Sequence, residues 1–178
     1  MSTALPETMP NPAPNPAPNP APNPVPAAGA GGTSALSIVL FAGGFDRVHY
    51  ALVMASAAAA TNRKVTLFFT GRALRALVHE TEPGVLGWHD LDPADDGSTP
   101  VARDRYFATH GLATFEELLE ACVAMGVTVM ACEMGLRALG LPPGVSLRAD
   151  VPVATGGVVT FLNHASCGAP GGGAMLFV

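Results

Sequence analysis

Charge is what this chain has least of. Only 13% of its 178 residues are Asp, Glu, Lys or Arg, and Lys64 is the one lysine. A typical domain carries about a quarter charged residues, so much of the surface is expected to be covered, and self-association follows as an expectation. The formal net charge is −5. No basic stripe is available to neutralise phosphates, which argues against a nucleic-acid partner. The most apolar stretch, residues 48–60, is too short and too alanine-rich to cross a bilayer. The three cysteines lack CxxC spacing, so neither a zinc ribbon nor a thioredoxin-type pair is indicated. The N-terminus shows no basic n-region followed by an apolar h-region, and a cytoplasmic location with free thiols is the expectation.

What is present begins with a tail. Residues 10–25 repeat a Pro-Asn-Pro-Ala unit, and Gly29, Gly31 and Gly32 follow. Prolines remove backbone donors and fix φ, so residues 1–34 read as an extended, disordered tail: a semi-rigid spacer or a ligand for a proline-recognition module. The domain proper is residues 35–178. Leu36–Phe41 reads as a first strand, followed by a helix capped by Asp46 and running to about Ala60. Val65–Phe69 reads as a second strand, with Thr70 capping a helix to about Val78. Residues 79–113 are broken by Pro83, Gly84, Pro93, Gly97 and Pro100, and read as a long variable loop or lid. Thr114 and Glu117 form a capping box, and Phe115, Leu118, Leu119, Cys122 and Val123 lie on one helical stripe that Gly126 ends. A strand at 127–131, a short helix stopping at Gly140, a strand at 151–153, a helix at 155–165 and a strand at 174–178 complete the pattern. Continuous apolar strands alternating with helices predict an α/β fold: a parallel sheet of about five strands with helices on both faces.

Sites in such sheets lie beyond the carboxyl ends of the strands. Cys132 is expected there, ending the 127–131 strand and opening the next helix. The partial positive charge of a helix N-terminus favours a thiolate, while the adjacent Glu133 opposes one. The competing reading is a small buried core residue. Cys122 lies on the apolar stripe and reads as core. Cys167, in a glycine-rich loop, is either a resolving partner for Cys132 or an incidental thiol. His49 lies near the same sheet edge and can move protons there, or is a plain helix histidine. Gly43 and Gly44 can let a ligand approach closely, or form a tight turn. Residues 88–96 hold His89, Asp90, Asp92, Asp95 and Asp96 but match no cation-loop spacing, so no metal is expected.

Several of these segments together resemble the DsrE/DsrF-like family. They are residues 37–49, 65–70, 115–127, 131–136 and 157–162, with Leu176-Phe-Val178 at the end. The likeness spans most of residues 36–178. It implies a flavodoxin-like sheet, a homo-oligomer, sulfur held as a persulfide on Cys132, and TusA-like or rhodanese-like carriers as partners. No cofactor is implied. Peroxiredoxins carry Thr or Ser three residues before the reactive cysteine; Val129 occupies that position and argues against peroxidase chemistry. The expectation is therefore a sulfur-relay protein, sulfurtransferase-like. The alternative is a non-catalytic module binding a small ligand or partner at the sheet edge.

Overall fold

The fold is taken from a computed structural model, which describes residues 35–142, 146–166 and 173–178. All of them fall in one compact unit, Gly31–Val178. The tail and Cys167 lie outside the described residues.

Five strands form one parallel sheet: β1 (Leu36–Leu40), β2 (Val65–Phe69), β3 (Thr128–Cys132), β4 (Val153–Gly156) and β5 (Ala174–Phe177). Their order is β4-β3-β2-β1-β5, and every pairing is parallel, as the continuous apolar runs predict. The arrangement is flavodoxin-like α/β, with helices on both faces. The chain steps outward from β1 to β4, then returns so that β5 pairs with the other side of β1, Leu36 opposite Ala174.

Alternation along the strands sends two sets of side chains to opposite faces. Ile38, Leu40, Leu67, Phe69, Val129 and Ala131 face the larger core. There they meet α1 (Phe45–Ala60) and α3 (Phe115–Ala124). Val39, Phe68, Met130 and Cys132 face the other way and meet Phe161 of α5 (Val158–Ser166). Helix α3 has both halves of its capping box: Thr114 N–H donates to Glu117 Oε2 at 2.8 Å, and Glu117 N–H to Thr114 Oγ1 at 3.3 Å. Gly126 ends it at φ +75°, and Asn62, at φ +59°, follows the end of α1 in the same left-handed region.

Several expectations are corrected. Asp46 does not cap α1; Gly44 is the cap residue. The Asp46 carboxylate instead accepts from Asp95 N–H at 2.8 Å and Arg103 Nε at 3.1 Å, tying α1 to the segment that follows β2. The helix expected after Thr70 is a 3-10 turn over Gly71–Leu77, with no side-chain cap from Thr70. Gly71 enters it at φ +51°, where a Cβ would lie 2.8 Å from the Phe41 carbonyl, so the β1 and β2 exits pack backbone to backbone. The fourth strand begins at Val153, because Pro152 has no N–H to give the ladder. Thr155 and Gly156 belong to that ladder, so α5 starts only at Val158.

Residues 79–113, read as a loop or lid, contain a 3-10 turn at Gly87–Asp90 and a helix, α2 (Pro100–Thr109). Thr99 caps α2 by accepting from Ala102 N–H, and Pro100 occupies its first turn, where the missing N–H costs nothing. Trp88 and Leu91 join the main core. No helix among the described residues is long and apolar enough to cross a membrane.

Candidate functional site

Cys132 is the last residue of β3 and the N-cap residue of α4 (Glu133–Ala138). It pairs in the ladder with Gly156 of β4, which fixes its backbone on that side, while the pairing with β2 ends one residue earlier at Ala131. Its position at the carboxyl edge is the one expected. Its side chain is not at the surface: Cys132 is 1% exposed, enclosed with Val39, Phe68, Met130 and Phe161. Helix α4 has six residues, so few aligned peptide dipoles face the thiol, and the helix-terminus argument for a thiolate carries little weight.

Cys122 is fully buried on the stripe of α3, where its thiol donates to the Leu52 carbonyl at 3.7 Å. Burial pushes its pKa up to about 11, which disfavours the nucleophilic form.

His49 is 8% exposed and stands on α1, in the main core. Its Nε2 pairs with the Ala113 carbonyl at 2.9 Å, and its ring lies 4.5 Å from that of Phe107. Cys132 projects to the opposite face of the sheet, so the structure does not bring His49 to the thiol. Here His49 fastens α1 to the residue before the α3 capping box.

Gly43 and Gly44 do lie at the carboxyl edge. A Cβ on Gly43 would come within 2.7 Å of Arg72 Cβ and 2.8 Å of Asp92 Oδ2, so glycine is required for the three loops to converge. Both glycines line an open cavity of about 630 Å³, together with Arg47, Arg72 and Gly135. Arg72 pairs with Asp92 at its rim. Cys132 does not line this cavity, but a Cβ on Gly135 would sit 3.5 Å from Cys132 Cβ. Cys132 is therefore a near neighbour of one residue in the cavity wall without lining the cavity itself.

Two of the carboxylates of residues 88–96 are engaged with separate partners rather than gathered. Asp92 bonds Arg72, and Asp96 bonds Arg103 and Ser98. Among the described residues no group of three or more His, Cys, Asp or Glu side chains could hold a metal ion.

Phe161 is the site residue that sequence reasoning missed. It stacks on Phe68 of β2, ring centroids 4.5 Å apart and planes 12° apart, and closes the space over Cys132. One signal was available: Phe161 and Ala165 fall at i and i+4 on one face, and Phe161 is the aromatic residue of that helix.

The sequence model of the DsrE/DsrF-like family matches residues 38–168, which include every residue described above for this site. The chain is also 29% identical over 155 residues to the uncharacterized protein YrkE of Bacillus subtilis (strain 168). That alignment covers 76% of this chain and 94% of YrkE.

Proposed function

The chain belongs to the DsrE/DsrF-like family, and on that premise we propose that it is a sulfur-relay protein that accepts and donates sulfane sulfur as a persulfide on Cys132. The observation that carries the reading is a contrast between two thiols. Cys122 sits on a helix stripe in the main core with its pKa pushed up, whereas Cys132, equally buried, ends strand β3 at the carboxyl edge of the sheet, where sites in such sheets lie.

The chemistry is two exchanges at sulfur. The Cys132 thiolate attacks the outer sulfur of a donor persulfide. The donor's S–S bond breaks, a new S–S bond forms on Cys132, and the donor leaves as a thiolate. An acceptor thiolate then attacks the outer sulfur on Cys132, takes it, and restores the Cys132 thiolate. Each step moves one sulfur atom with no net oxidation and no cofactor. The same reading takes the protein as a cytoplasmic homo-oligomer served by TusA-like or rhodanese-like carriers; the low charge content supports self-association.

The cavity beside Gly43 and Gly44 favours a second reading, a non-catalytic module that holds a small ligand at the sheet edge. Loading separates the two. Wild type, Cys132→Ser and Cys122→Ser are incubated with a persulfide donor and weighed intact. The relay predicts one added sulfur atom on wild type and Cys122→Ser, removable by reductant, and none on Cys132→Ser. Full loading of Cys132→Ser ends the assignment to Cys132, and Cys167 becomes the residue to test.

A further inference from the structure

A relay thiol must meet its donor, yet Cys132 is 1% exposed. We infer that α5 is a displaceable cover over Cys132, and that Phe161 is the latch that holds it shut. The inference deepens the relay reading by naming what regulates access to the thiol, although the accessibility it predicts can be measured without any sulfur transfer.

The strand cannot supply the movement. Cys132 is hydrogen-bonded into a ladder with β4, and β3 is paired with β2 on its other side. What lies over the thiol on that face comes from α5. Of the four described buried residues clustered with it, Val39, Phe68 and Met130 are parts of the sheet, and Phe161 is the one that α5 contributes.

Among the described residues, the docking of α5 rests on little else. Ala165 packs beside the cluster only partly buried. The other large apolar side chains of the helix face outward: Val158 is 48% exposed, Val159 73% and Leu162 44%. By contrast, α1 buries seven residues on the opposite face. A helix that, among the described residues, buries one large side chain opens at a far lower free energy than the domain unfolds, so local opening is the expected route to the thiol. The joint that leads into α5 suits such a movement. Gly157 alone separates β4 from the helix, and a Cβ there would meet nothing within 4 Å. Lifting Phe161 off Phe68 removes the cover and leaves the sheet intact.

The test is thiol labelling of the full chain with N-ethylmaleimide, read at Cys132 and Cys122 separately by peptide mass mapping. Wild type, Phe161→Leu and Phe161→Ala are compared with denatured wild type. Cys132 of native wild type should label far more slowly than in the denatured chain. Phe161→Ala should accelerate it at least tenfold, equivalent to about 1.4 kcal/mol of docking lost. Phe161→Leu, which keeps an apolar side chain and carries the test if the alanine variant does not fold, should fall between the two. Cys122 should stay protected throughout. The cover is refuted if native Cys132 labels as fast as in the denatured chain, or if the variants label at the wild-type rate. It is equally refuted if Cys122 accelerates together with Cys132, because opening is then global. If the latch variants expose Cys132 but no sulfur loads on it, the relay reading fails while the cover stands.

Discussion

Replacing Arg148 or its partners tests how a buried cation holds the segment before β4 to the domain. The Arg148 side chain is 6% exposed. Its guanidinium forks onto two carboxylates: Nη1 and Nη2 donate to Glu116 at 2.9 and 2.6 Å, and Nε donates to Asp150 at 2.8 Å with Nη2 completing that pair. Glu116 lies in the first turn of α3, so the fork ties that helix to residues 146–151. Removing one partner of a fully buried pair costs about 3–5 kcal/mol. Here the carboxylates are 40% and 63% exposed, so water reaches them and screens the pairs. Glu116→Ala, which leaves Asp150 in place, should therefore cost about 1–2 kcal/mol. The double change Glu116→Ala with Asp150→Ala strands the guanidinium in a dry site and should cost about 3–5 kcal/mol. Arg148→Met removes the buried charge itself and fills the space, while both carboxylates rehydrate, so it should cost less than the double variant. Urea midpoints at pH 7, with unchanged m-values, give the order. If Arg148→Met is the more damaging, the energetics rest on the arginine's packing and the charge argument is wrong. Acid supplies a second arm. The hydrogen bonds from Arg148 hold the Asp150 carboxyl below its ordinary value. A carboxyl lowered in the folded state stabilises above its unfolded pKa of about 3.9 and loses that contribution as the pH falls through the folded value. Wild type should thus lose stability below about pH 4 more steeply than Arg148→Met.

Two further predictions concern buried groups. The Cys122 thiol, pushed up to about 11 by burial, holds its proton more tightly folded than unfolded, so it subtracts stability as the pH rises from about 8.5 towards 11; urea midpoints across that range should decline less in Cys122→Ala than in wild type, and parallel declines would contradict the assignment. Trp88, the one tryptophan, is 5% exposed, and its Nε1–H has no acceptor among the described residues; Trp88→Phe removes an unsatisfied donor along with part of the buried ring, so the two effects offset in part and the loss should stay below about 2 kcal/mol, a loss above about 3 kcal/mol showing that removing the donor gains nothing.

The elements that were legible in the sequence are those whose signals are local. The Thr114–Glu117 box, the glycine at 126 and the unbroken apolar strands each state their structure within a few residues, and the parallel sheet follows from their alternation. Helix α2 was hidden because Pro100 reads as a breaker when only the interior of a helix is considered, whereas at the first turn it starts one. The orientation of Cys132 was hidden for a different reason. In a strand buried on both faces, Met130 and Cys132 look no different from Val129 and Ala131, so the pattern does not say which pair meets α1 and α3 and which meets α5. The burial of the thiol is a tertiary fact, set by one phenylalanine of a helix encoded well downstream. His49 was misplaced by the same blindness to faces: proximity along the sheet edge was legible, but not that α1 stands on the far side of the sheet from the thiol.

The pairing of β5 with β1 also bears on how the chain comes to be folded. A chain leaves the ribosome from its N-terminus, and β1 emerges long before the strand that completes its free edge. Until β5 arrives, β1 presents an open row of amide and carbonyl groups flanked by apolar side chains, the kind of template on which another nascent chain can add a strand. Closing so distant a contact is also slow compared with forming the neighbouring β1–β2 pair. The interval between those two events leaves that edge exposed to misassembly, and the arrival of β5 is what ends it.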